Sequence, residues 1–305
     1  LDIKKVVAYI TAYKDFAALD KCIQAIYKQS YPVSAVFVVD NSPISYLSAN
    51  NNLLIVNHYP ENVGVGQGLA IALKWAFAQE YNFLWAFDQD SIPTQNCLKI
   101  LIETYERLRQ DNYKIGIVAP TAIDSRTCQI VECAIYKKDQ FIGCKHNSQL
   151  QYYECDAPIT SGSLISLAAA QKVSPPRGDL FIDGVDLDYG LRLKQNGFHN
   201  LIVPQAILEH QFGSPIQVKL LNKEYFLQKY SALRHYYICR NHTYLDTRYA
   251  QGWYRLTSFL RRLKYMMRTI ILTLIYDPED KVIKTWACLL GTYHGLKGKL
   301  GKTWY

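Results

Sequence analysis

The chain has 305 residues, 49% of them hydrophobic and 20% charged, with 34 Lys or Arg against 26 Asp or Glu. Such a composition excludes a disordered or fibrous chain and is long enough for one large core plus an appendage. The formal charge of +8 is unevenly spread: residues 216–305 carry a balance of +11 and residues 1–215 a balance of −3. An acidic-to-neutral core with a basic appendage that meets an anionic partner is therefore expected.

The eight cysteines show no Cys-x-x-Cys and no zinc-like pairing with histidine, so scattered thiols of a reducing cytoplasm are expected. No leader peptide and no apolar run of about 20 residues is seen, which predicts a chain neither secreted nor membrane-spanning. The 24 tyrosines are many, and rings of that kind collect at interfaces and wet clefts.

In chain order, Val6–Ile10 reads as a buried strand, followed by a helical pattern through Leu19, Ile23 and Ile26. Ala35–Val39 is a second strand running into Asp40-Asn41-Ser42. After a polar loop, Leu53–Val56 is a third strand, and Glu61 to Gly68 is a glycine-rich turn that opens a helix over Leu69–Gln79. A strand over Phe83–Phe87 ends in Asp88-Gln-Asp90. Strands alternating with helices predict a mostly parallel α/β sheet with helices on both faces, and continuous apolar strands fit burial on both sides. From Ile115 to Ile165 the pattern is less regular. A helix over Asp183–Gly197, a strand at Leu201–Val203 and a helical, basic region beyond residue 216 complete the reading.

Asp88 and Asp90 carry the first chemistry. Side chains at i and i+2 of an extended segment share a side, so both carboxylates can converge on one cation. Oxygen ligands completed by water and phosphate suit Mg²⁺ or Mn²⁺, and ligands of open α/β sheets collect at the carboxyl ends of strands. His210 can complete such a shell, although a lone histidine is as readily structural. Asp40 can accept hydrogen bonds from a base or ribose, or can cap a turn. The Gly64-Val-Gly66-Gln-Gly68 run allows close backbone approach to a diphosphate, yet its spacing is wrong for a dinucleotide fingerprint, and a tight turn explains it equally. In Asp183-Gly-Val-Asp186-Leu-Asp188, the three acids complement a helix N-terminus, or one of them is a general base. Asp186 and Asp188 diverge on a helix, so one serves chemistry and the other support.

Five blocks in order resemble family 2 glycosyltransferases of the GT-A fold. These are Thr11-Ala-Tyr13; Val38-Val-Asp40-Asn41-Ser42; Glu61-Asn62-Val-Gly64 with Gly68; Phe87-Asp88-Gln-Asp90; and Asp186-Leu-Asp188 with Arg192 and Gly197. The resemblance implies an inverting transferase with a nucleotide-sugar donor held by Thr11, Tyr13, Asp40, Asn41, Asn62, Gly64, Asp88 and Arg192. It places a Mg²⁺ or Mn²⁺ ion at Asp88, Asp90 and His210, and a catalytic base at Asp186. Val185 replaces a common acidic residue, which leaves Asp183 as the other base candidate and Asp188 as a supporting one. Phe181–Asp186 and Arg234–Asn241 are similar to bacterial rhamnosyltransferases that use dTDP-L-rhamnose for surface polysaccharide. The same resemblance leaves a UDP-sugar donor as the alternative. The Thr160–Ser163 segment would lie beside donor sugar or acceptor, and Arg234–Asn241 would line the acceptor entrance.

The division expected is a catalytic domain over residues 1–215 and a helical, basic region over 216–305. Apolar residues at 253, 256, 260, 263, 267, 270 and 274 make one helical stripe decorated by Arg255, Arg261, Arg262, Lys264 and Arg268. This predicts a helix lying on an anionic membrane, peripheral on the cytoplasmic face, where a saccharide or polyisoprenoid-linked acceptor would be met. Packing against the protein itself and a homodimer seam are the competing readings. Nucleic acid is not expected, because no recognised reading module accompanies the charge. A nucleotidyltransferase and a non-catalytic lipid-binding scaffold are the rival functions.

Overall fold

The computed structural model describes residues 4–45, 52–220 and 223–304. The polar loop predicted before Leu53 lies partly outside them. The chain forms two compact units: residues 1–135, 143–178 and 185–211 in the first, and residues 136–142, 179–184 and 212–305 in the second. Two short segments thus pack with the C-terminal unit although they precede residue 215 in the chain.

The first unit alternates strand and helix as its apolar runs dictate. In order come β1 (Val6–Ala12), α1 (Phe16–Tyr27), β2 (Ala35–Asp40), β3 (Leu54–His58), α2 (Gly64–Ala78) and β4 (Phe83–Asp88). Next are β5 (Ser91–Pro93), α3 (Cys97–Gln110), β6 (Ile115–Asp124), β7 (Ile130–Val131), β8 (Ala134–Lys137) and β9 (Gln140–Gly143), a hairpin whose residues 136–142 belong to the second unit, then β10 (Tyr153–Cys155), β11 (Leu164–Ser166), α4 (Leu167–Ala170), α5 (Val185–Gln195) and β12 (His199–His210). The main sheet runs β10-β12-β6-β11-β4-β1-β2-β3. Its β4-β1-β2-β3 half is parallel, as is β12 with β6, whereas β11 runs antiparallel between β4 and β6. Every residue of β1 but Thr11 and every residue of β2 is buried, as parallel strands covered on both faces require. One face carries a core in which Ile10, Ile26, Val38, Trp85, Phe87 and Leu98 pack together. Asp15 caps α1 by accepting from the Ala18 amide at 3.0 Å.

The second unit departs from the sequence reading at its start. Residues 214–229 are not helical: β13 (Ser214–Leu220) and β14 (Lys223–Lys229) form an antiparallel hairpin. The alternation Ile216-Gln-Val218-Lys-Leu220 has the period of two that suits a strand, and the basic character of the region obscured it. The helices α6 (Ala232–Tyr249), α7 (Tyr254–Tyr276) and α8 (Lys281–Lys297) follow. Among the described residues no helix is long and apolar enough to cross a membrane.

At the centre of this unit Arg240 is fully buried. Its guanidinium donates to the carbonyls of Asp179 (3.1 Å), Leu180 (3.0 Å) and Gly301, and to Asn241 Oδ1 (2.7 Å), and it lies 4.6 Å from the Tyr237 ring centre. Asn241 donates to the carbonyls of Leu180, Ile182 and Asp183, each at 2.8 Å. Phe181 and Asp183 have positive φ, +65° and +64°, a conformation that costs free energy for side chains other than glycine unless neighbours hold it. Those carbonyl bonds hold it. The segment from Arg234 to Asn241 therefore does not line an acceptor entrance: Tyr236, Tyr237, Cys239, Arg240 and Asn241 are buried and serve as an internal frame.

The same unit should be acid-labile. His242 is pushed down to about 3, first by burial and then by the charges of Arg262 and Arg234. Burial likewise lowers His235 and His294, with Lys284 and Lys299 adding to it. Below a pH of about 6.5 an unfolded chain takes up these protons while the folded unit refuses them. Stability is therefore full above that pH and falls as pH drops toward 3. For His242 alone the limiting slope is about 1.4 kcal/mol per pH unit. Asp246, pushed up to about 6 by burial, works in the opposite sense and offsets part of the loss. Thermal melts between pH 7 and pH 4.5 should show Tm falling with pH, and His242→Gln should flatten the trend. An unchanged Tm across that range would contradict this account.

Candidate active site

The carboxyl ends of β1, β2 and β4 bring the predicted donor residues together. Register places Thr11 beside both Val39 and Asp88, and Ala12 beside Asp40. Beyond the strand ends, side chains tie the loops to one another. Asp40, buried, accepts from the Ser42 amide at 2.9 Å, and Ser42 Oγ accepts from the Lys14 amide at 2.8 Å. Asn41, also buried, accepts from the Val63 amide at 2.9 Å and so fixes the start of α2 to the end of β2. Asn62 and Gly64 both have positive φ, and Asn62 Oδ1 accepts from the Gly64 amide at 3.0 Å. Tyr13 is exposed, with its backbone clamped on both sides by Gln89, whose amide accepts from Tyr13 N (2.6 Å) and donates to Tyr13 O (2.9 Å).

The glycines behind the turn have a packing role. A Cβ on Gly66 would sit 2.3 Å from the Arg177 carbonyl oxygen, and one on Gly68 would sit 2.5 Å from the Tyr9 hydroxyl. The run is thus a helix start packed closely on its neighbours, the plainer of the two readings of its sequence.

The Asp88–Asp90 pair stands at the edge of the buried core. Their side chains are 36% and 30% exposed, while His210 behind them is 8% exposed. His210 Nε2 lies 3.8 Å from Asp88 Oδ2, and Nδ1 lies 3.2 Å from Asp90 Oδ1 and 2.8 Å from Ser91 Oγ. The imidazole therefore presents a different nitrogen to each carboxylate. Among the described residues no group of three or more His, Cys, Asp or Glu side chains is already gathered closely enough to hold an ion.

Ser161 braces this pair. Its hydroxyl accepts from the Asp88 amide at 3.0 Å and meets Ser91 Oγ at 2.5 Å, and Ser91 passes the chain of hydrogen bonds to His210. The Thr160–Ser163 segment was expected beside donor or acceptor, and its role against Asp88 and Ser91 was not anticipated. Gln89, Ser91 and Tyr9 were missed altogether. Gln89 and Asp90 form a turn between β4 and β5, so alternation along an extended stretch gave no signal for Gln89 or Ser91.

The three acids of the second cluster separate. Asp188 is buried on α5 and receives Arg192 at 2.8 Å. Arg192 also donates to the carbonyls of Ser174 and Pro175, at 2.5 Å and 3.1 Å, so it ties α5 to the preceding loop. Asp183, in the second unit, is held by Arg234 at 2.9 Å; burial raises its carboxyl and the Arg234 charge opposes that rise. Asp186 stands half-buried in the first turn of α5, its Oδ1 accepting from the Leu187 amide at 2.9 Å. A helix N-terminus favours its ionised form.

Comparison with known proteins follows this geometry. Residues 8–148 match the family described as glycosyl transferase family 2. A curated relative, a dTDP-rhamnosyl transferase RfbF of Shigella flexneri, is 25% identical over 181 residues, covering 59% of this chain and 58% of its own. The chain thus spans less than two thirds of that relative. Among solved structures, GalNAc-T7 with UDP, GalNAc and Mn²⁺ is similar at a TM-score of 0.61 and 13% identity, over 97% of this chain and 56% of that one. S. aureus TarS 1-349 is similar at a TM-score of 0.52 and 15% identity, over 97% of this chain and 82% of that one. At such identities the likeness shows the fold alone, a GT-A arrangement of a mostly parallel sheet between helices.

Proposed function

We propose that this chain, whose residues 8–148 match glycosyl transferase family 2, moves a sugar, with inversion, from a nucleotide donor to a saccharide or polyisoprenoid-linked acceptor. The likeness to the Shigella dTDP-rhamnosyl transferase supports L-rhamnose from dTDP-L-rhamnose as the donor, in the building of a bacterial surface polysaccharide. The observation that carries the reading is the convergence of β1, β2 and β4. Buried Asp40 and Asn41 are pinned next to Tyr13, and two half-exposed carboxylates stand at the end of β4.

In this reading Asp40 and Asn41 shape the pocket for base and ribose, Thr11 and Tyr13 border it, and Asn62 and Gly64 set the turn beside it. Asp90, with Asp88 and His210 near it, would hold Mg²⁺ or Mn²⁺. The chemistry of the donors fits: two hard carboxylates with an imidazole beside them, too few to close a cage and so leaving positions for diphosphate oxygens. When bound, the cation would neutralise the charge that builds on the departing nucleotide. Asp186 takes the proton from the acceptor hydroxyl as that oxygen bonds the anomeric carbon. Asp188 and Arg192 act through α5, keeping its first turn in place, and Asp183 with Arg234 frames the segment leading to that turn. The reaction belongs at the cytoplasmic face of an anionic membrane, where the basic second unit would seat the enzyme.

A panel of dTDP-, UDP- and GDP-sugars, titrated with and without Mn²⁺, tests the donor. Metal-dependent binding of dTDP-L-rhamnose at least about tenfold tighter than UDP- or GDP-sugars, a gap of about 1.4 kcal/mol, is the expected result. Preference for a UDP-sugar would move the assignment to that donor. No nucleotide-sugar binding at all would leave the rival reading, a lipid-binding scaffold of the same fold.

A further inference from the structure

Helices normally bury their apolar side, and α7 does the reverse. Its buried positions are Ser258, Arg262, Met266, Ile270 and Thr273. Its exposed side carries Trp253, just before the helix, then Leu256, Leu260, Met267, Ile271 and Leu274, with Trp253 75% exposed. Within the predicted stripe, Ile270 is buried and Leu263 is half-buried, so the stripe has turned outward around them. The sequence reading did not include α8. There Val282, Trp286, Leu289, Tyr293 and Leu296 recur at steps of four, three, four and three, and all are exposed, Val282 at 85%. Most of the exposed large hydrophobics among the described residues lie on these two helices, which pack against each other within the second unit. Apolar surface on that scale marks a contact with something apolar.

Charge identifies the occupant. Between Trp253 and Tyr276, and again between Lys281 and Tyr305, there is no Asp or Glu. The three acids that separate the helices are Asp277, Glu279 and Asp280, and Asp277 is already paired with Lys284 at 2.7 Å. Arg255, Arg261, Lys264, Arg268, Lys281, Lys297, Lys299 and Lys302 share the two helices and their flanks with the apolar stripes. Arg261 also reaches Asp139 at 2.9 Å, which anchors α7. A second copy of the same face would bring like charges together. An anionic bilayer takes both the apolar rings and the cations.

We propose that α7 and α8 form one two-helix platform that lies on anionic lipid, with Trp253, Trp286 and Tyr293 entering the interface and the lysines and arginines meeting lipid phosphates. This rests on the peripheral reading above and extends it from a single helix to a paired surface. The test is sedimentation of the full chain with phosphatidylglycerol-rich and with pure phosphatidylcholine vesicles. It is run for the wild type, for Leu260→Ser/Met267→Ser on α7, and for Val282→Ser/Trp286→Ser on α8. All four positions are exposed, and circular dichroism with nucleotide binding verifies that each variant is folded. Each pair should lower binding to anionic vesicles at least about tenfold, with the wild type preferring anionic over neutral vesicles and losing affinity in high salt. Loss with the α7 pair but not with the α8 pair would overturn the platform and leave the single-helix reading. Absence of vesicle binding by the wild type would overturn both. A salt-stable dimer dispersed by either pair, without vesicle binding, would assign the face to a second copy.

Discussion

Replacing Asp186 by Asn should leave the nucleotide sugar bound within about twofold and slow transfer by about 10²–10⁴-fold, the usual worth of a positioned proton acceptor. The substitution keeps size and hydrogen bonding at the first turn of α5 and removes only the charge and the basicity. The neighbouring acids should behave differently, because each is committed to an arginine. Asp188→Asn weakens the anchoring of Arg192, which is half-buried on the same helix and ties it to the Ser174–Pro175 loop, so it should lower Tm and affect kcat through the placement of α5. Asp183→Asn leaves Arg234 short of its charge partner and should destabilise the 179–184 segment. Initial rates, donor binding and thermal melts on the three variants separate these effects. Transfer surviving in Asp186→Asn while Asp183→Asn abolishes it with normal folding would reverse the assignment.

Asp90→Ala should remove metal dependence. If the cation supplies several kcal/mol of stabilisation to the leaving diphosphate, its loss costs roughly 10³-fold or more in rate. Donor affinity in Mn²⁺ should fall to the level seen with a chelator, and the variant should not respond to added metal. Asp88→Ala should show a smaller loss, because that residue stands 3.8 Å from His210 whereas Asp90 stands 3.2 Å from it. Ser161→Ala offers a control on positioning: it deletes the hydroxyl between the Asp88 amide and Ser91 without touching a carboxylate. It should raise the metal concentration needed for half-maximal rate while the rate at saturating metal changes little. Full activity of Asp90→Ala in a chelator would exclude the metal role of this pair.

The parallel half of the sheet was legible because its strands are continuous apolar runs, and the loops of the candidate site were legible because they follow those runs at once. Asp40, Asn41, Asn62, Gly64 and Asp88 sit where short polar words interrupt hydrophobic ones. The supports were not legible. Ser161 meets Asp88 across 73 residues and Ser91 meets His210 across 119, and no local pattern announces a hydroxyl that must reach so far. Arg234–Asn241 misled for the opposite reason: tyrosines and arginines look like surface, but Arg240 is buried against backbone carbonyls that complete its hydrogen bonds. The hairpin over 214–229 was hidden by its lysines, and the α8 stripe by attention to the longer helix before it.

The inserted strand β11 has a consequence for how the protein can be divided. β6 lies between β12 and β11, and both are built from residues beyond the family-matched stretch that ends at 148. Cut there, the chain would keep Asp40, Asp88 and Asp90 but leave β4 bare along one long edge and β6 bare along its β12 edge, with only the short β7 left on its other side. Uncovered edges of that kind invite pairing between chains. The stretch that carries the family likeness is therefore shorter than the sheet it belongs to: residues 8–148 carry the match, but the sheet is complete only through β12, whose last residue is His210.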